Sequence, residues 1–175
     1  MKALCIVAHP DDCVIFAYSF MHHYKELDWT VCYLTYIESD PRGKEVADFW
    51  QRRNVNTHFL GFVDDWHDIE NNKISFDANK ARLDIAEVIS SYDIVLSHDS
   101  KGDYGHIHHK FVYDCVKNHP SLITFAAPGT GNVRFIIAPG TYDLSELPQC
   151  REIVYSFHAT EHANEYLIAD KSIIK

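Results

Sequence analysis

The sequence predicts a Rossmann-like, three-layer α/β fold, in which a mainly parallel sheet lies between flanking helices. Short apolar runs, typical of strands buried on both faces, alternate along the chain with longer segments that have helical periodicity. This alternation is expected of βαβ units. Since no linker or internal repeat divides the chain, we expect residues 1–175 to form a single domain.

The predicted strands are runs of apolar and β-branched residues. The first, ALCIVA at residues 3–8, has no polar alternation, so we expect it to be buried on both faces. A Gly- and Pro-rich stretch, APGTGN at 127–132, separates the last two strands. The others are WTVCYLTY (29–36), THFLGF (57–62), DIVLSH (93–98), SLITFA (121–126) and VRFIIA (133–138).

Helix patterns lie between these strands. The clearest is DANKARLDIAEVISSY at 77–92, where Asp77 is a typical first residue and apolar residues such as Leu83 and Ile85 form the buried side. The segment VDDWHDIENNK at 63–73 is predicted to be a loop. The other predicted helices are DCVIFAYSFMHHYKEL (12–27), GKEVADFWQRRN (43–54), GHIHHKFVYDCVKNH (105–119) and part of the tail at 143–169.

The charge balance argues against two classes of partner. Lys and Arg number 16 and Asp and Glu number 25, which gives a formal net charge of −9. Nucleic acids and anionic membrane surfaces both favour a basic face, so we expect neither as a partner. No apolar run approaches the ~20 residues that a membrane span needs.

Cysteine usage indicates the redox compartment. The chain has five cysteines, an odd number, widely spaced and without a C-x-x-C pair. This pattern predicts buried free thiols in a reducing environment. The N-terminus enters a strand without a secretory signal pattern, so the cytoplasm is the expected location. The sequence is compatible with a homo-oligomer, but no feature of it predicts the oligomeric state.

Polar side chains are concentrated just after two of the predicted strands. AHPDD at 8–12 follows the first strand, and SHDSKGDYGHIHH at 97–109 overlaps and follows DIVLSH. Ligands of open α/β sheets bind outside the carboxyl ends of the strands. We therefore expect the two clusters to face one cleft.

The residue types in these clusters indicate a metal site. His9 and Asp12 are three residues apart across a strand-to-helix turn, and His106 and His109 are three apart at the start of a helix. Two histidines and an aspartate with an open fourth position make a catalytic zinc site. Asp11 would then lie beside the metal, free to take a proton from an activated water.

Each cluster also has a simpler explanation. Asp11 or Asp12 could cap the helix that follows, and GHIHH could be a solvated helix start. The occurrence of both clusters at strand ends of one sheet favours the metal site. A sugar- or nucleotide-binding module without catalysis stays open, although such a module has no need of a base next to metal ligands. A purely structural metal domain would close all four positions with protein ligands.

AHPDD and the later H-x-x-H together resemble the PIG-L/LmbE-like family of zinc-dependent N-acetylglucosaminyl deacetylases. RGKE and HFLGF-VD lie between them in the same order, and the resemblance is weak in the tail. It implies that His9, Asp12 and His109 are the zinc ligands and that Asp11 is the general base. It further implies that His106 helps to stabilise the charged intermediate.

Three other roles follow from the same resemblance. Tyr104, two residues before His106, takes the place of a tyrosine that polarises the substrate carbonyl in some members. Arg42, in an R-x-x-E segment, and Asp64, after the L-G-F turn, match positions that help to hold the sugar. We therefore expect Arg42 and Asp64 to bind substrate.

The chain departs from the family pattern at two positions. The family usually has a glutamate after the paired aspartates, where this chain has Cys13. The second motif often reads H-P-D-H, and here His108 replaces the aspartate that would orient His106 and raise its basicity.

The function implied is a metal-dependent hydrolase that removes the N-acetyl group from an N-acetylglucosamine-type sugar or sugar conjugate. The expected cofactor is Zn²⁺, although such a donor set would also accept Fe²⁺ or Co²⁺. The partner would be a small N-acetylated sugar or glycoconjugate. A zinc amidase acting on another acylated or thiol-sugar conjugate stays open as an alternative.

Overall fold

A computed structural model describes residues 1–126, 135–136, 147, 149–150 and 167–168 of the chain. The predicted strand VRFIIA falls within this part only at 135–136. The predicted tail helix lies outside the described residues except at 147, 149–150 and 167–168. Within the described part, no helix has the length and apolar character needed to cross a membrane.

The strands are β1 (Lys2–Val7), β2 (Asp28–Thr35), β3 (Asn56–Phe62), β4 (Ile94–Ser97), β5 (Leu122–Ala126), β6 (Phe135–Ile136) and β7 (Leu167–Ile168). The five principal strands are parallel and form a sheet at the centre of the molecule, in the order β3-β2-β1-β4-β5. Two short strands, β7 and then β6, extend it beyond β5 in antiparallel fashion. The prediction of a mainly parallel sheet is therefore confirmed.

Helices cover both faces of the sheet. One face is covered by a π-helical turn (Cys13–Ala17), α1 (Tyr18–His23) and α2 (Pro41–Gln51), and the other by α4 (Ala78–Ile89) and α5 (Ile107–Val116). The central strand β1 shows why: residues 3–7 alternate between the two apolar clusters, with Cys5 on one side and Leu4 on the other, and none of these five is exposed to solvent. A further short helix, α3 (Trp66–Asn71), follows β3 in the chain.

Two sequence predictions need correction. The segment 63–73, predicted to be a loop, contains the short helix α3, which Asp65 caps by accepting the N–H of His67. Leu83 is 72% exposed and is not on the buried side of α4. Residues two apart on a helix point about 200° apart, so Leu83 cannot share a face with the buried Ile85. The predicted cap of this helix is confirmed, since Asp77 accepts two backbone N–H groups.

The strand order creates a cleft at one place. The chain proceeds from β1 to β2 and β3 on one side, and then crosses to β4 on the other side of β1. Such a switch point leaves a crevice at the carboxyl ends of the two diverging strands. Ile6 of β1 pairs with Ser97 of β4, so the segments that begin at Ala8 and His98 leave the sheet side by side.

Candidate metal centre and active site

Ala8 is the point from which the first polar cluster leaves the sheet, and both of its backbone groups are held. Its carbonyl accepts from the N–H and the hydroxyl of Thr35 in β2, at 3.0 Å and 2.7 Å. Its N–H donates to His98 Nε2 at 3.0 Å. The following residues therefore start from a position fixed by both neighbouring strands.

The carboxylates that follow do not cap the helix. The π-helical turn has no side-chain cap from Asp12, and the N–H groups of Val14 and Ile15 bond to the backbone carbonyl of Asp11. The Asp12 side chain instead accepts the N–H of His9 at 2.8 Å. The capping explanation of this motif is therefore wrong for Asp12, whose carboxylate lies among histidines.

Three donor atoms form a compact triangle in the cleft. Asp12 Oδ2 lies 3.2 Å from His9 Nδ1 and 3.3 Å from His109 Nε2, and these two nitrogens are 3.2 Å apart. Donors at the usual zinc distances, about 2.0–2.1 Å, are roughly 3.3 Å apart in a tetrahedral site. All three residues are buried. The triangle therefore has the size for a divalent ion, and a donor atom of His106 also lies within 4.8 Å of donors of His9 and His109.

His109 is held in this orientation by Asp103. The Nδ1 atom of His109 donates to Asp103 Oδ2 at 2.8 Å, which leaves Nε2 to face the triangle. Asp103 has a left-handed backbone, φ 61°, and its own N–H donates to Asp99 Oδ1. A carboxylate behind a histidine fixes the tautomer and ring angle that a metal ligand needs.

His98, which the sequence motifs did not indicate as a site residue, supports the ring of His109 in the triangle. Its ring is fully buried and stacks on His109, with 3.9 Å between ring centroids. Its Nδ1 also binds Asp103 Oδ2. Because the Ala8 N–H donates to Nε2, that nitrogen carries no proton and is already engaged. We therefore assign His98 a supporting position, although its Nε2 is only 3.5 Å from Asp12 Oδ2.

Asp11 lies beside the triangle in an ion pair with Arg42. Arg42 also donates to the Tyr36 hydroxyl at 2.7 Å. The start of α2 comes close enough because residue 43 is glycine: a Cβ there would lie 2.0 Å from the carbonyl oxygen of Ile37. Arg42, predicted to bind substrate, is thus buried and engaged with the predicted base.

The neighbouring carboxylates differ in basicity. Burial raises the pKa of Asp11, although the charge of Arg42 opposes this. Burial would also raise the pKa of Asp12, but the His109 and His9 rings outweigh it and hold that pKa well below its usual range. Asp12 is therefore the ionised carboxylate suited to a metal, and Asp11 is the better proton acceptor.

His106 is the N-cap residue of α5 and faces the same space. Its Nδ1 accepts the N–H of His108 at 3.1 Å, so the proton of the neutral ring is on Nε2. Burial, together with His9 and His109, lowers the pKa of His106 to about 2. His106 is therefore a neutral hydrogen-bond donor. Tyr104, 40% exposed, lies edge-on against the rings of His106 and His109.

His108 does not take over the task of the aspartate that it replaces. Its ring centroid is 5.1 Å from that of His106, but its Nε2 is directed to Asp68 Oδ2, at 2.8 Å. The same Asp68 oxygen accepts the N–H and hydroxyl of Ser75. The other ring nitrogen of His108 is 3.2 Å from His9 Nε2. The absence of a carboxylate beside His106 agrees with its lowered pKa.

Asp64 lies on the side of the cleft that is open to solvent. Its Oδ1 is 3.4 Å from His9 Nε2, its Oδ2 is 4.0 Å from Arg42 Nη1, and its side chain is 23% exposed. Of the carboxylates close to His9, it is therefore the one in contact with solvent. This position suits the predicted contact with substrate.

Cys13, the other departure from the family pattern, points away from the metal triangle. Its Sγ is 2.9 Å from the Tyr33 hydroxyl, accepts from Trp50 Nε1 at 3.1 Å and is 3.4 Å from the Pro10 carbonyl. Burial raises the pKa of this thiol to about 12, so it stays protonated. All five cysteines are free, as the sequence predicts.

The structure brings all the sequence-predicted site residues to one edge of the sheet. Sequence reasoning missed three supporting residues there: His98, Asp103 and Asp68. His98 and Asp103 lie within the segment SHDSKGDYGHIHH, so their position could have indicated that they belong to the site. Asp68 lies in the segment that was predicted to be a loop.

Similar folds occur in solved structures of low sequence identity. A conserved protein from Thermus thermophilus has a TM-score of 0.67 at 13% identity, covering 100% of this chain and 96% of that one. The N,N'-diacetylchitobiose deacetylase from Pyrococcus horikoshii has 0.57 at 18%, covering 92% and 72%. The 4-carboxy-2-hydroxymuconate hydratase GalB from Pseudomonas putida has 0.52 at 17%, covering 93% and 81%. At these identities the likeness shows the fold, which is LmbE-like.

A family match covers the part of the chain that carries both motifs. No curated protein sequence matches the chain significantly. Residues 4–119, however, match the family described as PIG-L: GlcNAc-PI de-N-acetylase. This span is more than half of the chain and contains the metal triangle, Asp11 and Arg42. The chain therefore belongs to the PIG-L family of de-N-acetylases.

Proposed function

We propose that the protein is a zinc-dependent N-deacetylase that hydrolyses the N-acetyl group of an N-acetylglucosamine-type sugar or sugar conjugate. The observation that carries the proposal is the triangle of His9, Asp12 and His109 with Asp11 beside it. Family membership supports the reaction class, and the size of the triangle supports a tetrahedral ion. Fe²⁺ or Co²⁺ would fit the same donors.

His9, Asp12 and His109 would hold the ion through Nδ1, Oδ2 and Nε2. When bound there, zinc supplies a Lewis acid and lowers the pKa of a water toward about 7. Asp11 accepts the proton of the attacking water on its carboxylate. Burial makes Asp11 more basic than an ordinary carboxyl, and Arg42 holds it in place. The same carboxyl then returns the proton to the leaving amine.

His106 and Tyr104 act on the other side of the reacting carbonyl. The Nε2–H of His106 donates to the oxygen that becomes negatively charged, and the Tyr104 hydroxyl approaches from the mouth of the cleft. Removal of one such donor typically costs on the order of 100- to 1000-fold in rate. Asp64, partly exposed, would accept from a sugar hydroxyl.

A binding module without catalysis accounts for less of the structure. Such a module does not require a buried carboxylate of raised pKa beside a metal triangle. A hydratase shares the fold, but the likeness at 17% identity extends to the fold alone. An amidase acting on another acylated conjugate would use the same residues, and only substrates can distinguish it.

The decisive experiment measures bound zinc per chain and acetate released from a panel of N-acetylated sugars. We expect wild type to bind zinc and release acetate. His109→Ala should lose zinc and activity, and Asp11→Asn should keep zinc and lose activity. His67→Gln, a change at an exposed histidine away from the triangle, is the control and should keep both.

Two results would contradict the proposal. If wild type binds no zinc, Fe²⁺ or Co²⁺, the triangle is not a metal centre. If Asp11→Asn keeps full activity, the residue is not the base. Acyl release from other conjugates without any sugar deacetylation would instead support the amidase alternative.

A further inference from the structure

The imidazole of His9 faces donor atoms on both of its sides. Its Nδ1 belongs to the triangle already described. Its Nε2 lies 3.2 Å from His108 Nδ1 and 3.4 Å from Asp64 Oδ1, and these two atoms are 3.5 Å apart. The second trio is thus nearly as compact as the first, and its three donors are of types that bind divalent transition metals.

His108 is fixed in the orientation that a metal ligand needs. Its ring is fully buried, and Asp68 binds Nε2 at 2.8 Å. Asp68 is fixed in turn by the N–H and hydroxyl of Ser75. The lone pair of His108 Nδ1 therefore points at His9 and Asp64. A carboxylate behind a histidine that faces two further donors is the usual support of a metal ligand.

The trio is charged and accessible on one side. Asp64 supplies a negative charge, and its side chain is 23% exposed, whereas His9 and His108 are buried. An ion can therefore reach the trio from the cleft and keep a water in its remaining position. Without an ion, the Nε2–H of His9 donates to His108 Nδ1, so binding a metal there requires the loss of that proton.

We propose that His9, Asp64 and His108 form a second divalent-cation site that shares the His9 ring with the first. The inference deepens the proposed function, since it rests on the first triangle being the catalytic centre. The second ion binds more weakly than the first, because its three donors are spread slightly wider, at 3.2–3.5 Å, and Asp64 is partly exposed to solvent. It inhibits hydrolysis, because it occupies Asp64 and the space next to Asp11 where the substrate would lie.

The test is the zinc content of the protein after dialysis against increasing free zinc. Wild type should bind one equivalent at low zinc and a second at higher zinc. His108→Ala and Asp64→Asn should each lose the second equivalent and keep the first. His109→Ala should lose the tight equivalent and keep the weak one. His67→Gln, at an exposed histidine paired with Glu70, should bind two equivalents like wild type.

The outcomes separate this inference from the proposed function. One equivalent in wild type at every zinc concentration overturns the second site and leaves the first intact. No zinc in wild type overturns both. A second equivalent that survives His108→Ala and Asp64→Asn overturns the location. If His108→Ala does not fold, Asp64→Asn decides, because its side chain is at the cleft surface.

Activity gives a second readout. Acetate release by wild type should fall as the second equivalent binds, and in His108→Ala any remaining activity should not respond to zinc in that range. Inhibition that persists in His108→Ala would overturn the inhibitory role even if two equivalents bind to wild type.

Discussion

Asp103 uses a single carboxylate oxygen, Oδ2, to hold His109 at Nδ1, 2.8 Å away, and to bind His98 as well. The other oxygen, Oδ1, is buried and has no hydrogen-bond partner within the described part of the chain. One residue thus fixes the ring of a predicted metal ligand and the ring stacked against it. The metal affinity of the first centre should therefore depend on Asp103.

Asp103→Asn should weaken zinc binding while leaving the donor triangle in place. A neutral amide oxygen accepts the two ring N–H groups more weakly than a carboxylate does, so the tautomer and ring angle of His109 are held less firmly. Loss of such a partner typically costs about 10- to 100-fold in metal affinity. Competition with a chelator of known affinity measures it. Asp114→Asn, at an exposed aspartate paired with Lys117, is the control; equal affinities in the two variants would contradict the prediction.

Arg42→Gln should lower kcat more than it raises KM. The Arg42 guanidinium pairs with Asp11, so its loss frees the base from its held position. General-base catalysis typically accelerates a reaction 100- to 10,000-fold, and a base that is out of position loses part of this acceleration. We expect kcat to fall by on the order of 100-fold. Steady-state kinetics with the best N-acetylated substrate measures it. Arg42→Lys should recover part of kcat, and a rise in KM alone would instead support the predicted sugar contact.

Gly43→Ala should destabilise the fold strongly. The new Cβ would lie 2.0 Å from the Ile37 carbonyl oxygen, which is backbone and cannot rotate away. We expect a cost of at least about 3 kcal/mol in the free energy of unfolding, at the upper end of overpacking penalties. Urea unfolding measures it. Lys44→Ala, the next residue on the exposed side of α2, should change stability little.

Removal of metal should lower the melting temperature of wild type without unfolding it. An ion bound by the native state alone stabilises it by about 2.7 kcal/mol at a concentration of 100 Kd. Thermal scans with and without chelator measure the difference. In His109→Ala the effect of low zinc should vanish, and an unchanged shift in that variant would show that the stabilising ion binds elsewhere.

The sequence allowed the arrangement of the fold to be predicted because its strands are unusually apolar. A run such as 3–8 has no polar residue to expose, so it requires helices on both faces. Boundaries and faces were less predictable. Leu83 is an apolar residue within a segment of helical periodicity, but it lies opposite the buried face of α4. The helix α3 is difficult to predict because it is only six residues long and begins within a polar segment.

The sequence predicted the position of the candidate site better than the hydrogen bonds that support it. Two motifs at strand ends place His9, Asp12 and His109 at one edge, and their roles stay predictions until they are tested. The position of Asp103 depends on a left-handed backbone within a turn. The contact between Asp68 and His108 joins residues forty apart in the chain. Neither relationship has a periodic pattern that would reveal it.

The way in which Ala8 is fixed has a consequence for the ion itself. Its carbonyl accepts hydrogen bonds from Thr35, and its N–H donates to His98. No ion takes part in these bonds. The loop that carries His9 and Asp12 is thus preorganised, and the ordering of its ligands is complete before any ion arrives. The apoprotein should therefore accept an ion after folding, which allows cobalt to be exchanged in as a coloured, paramagnetic reporter of the cleft.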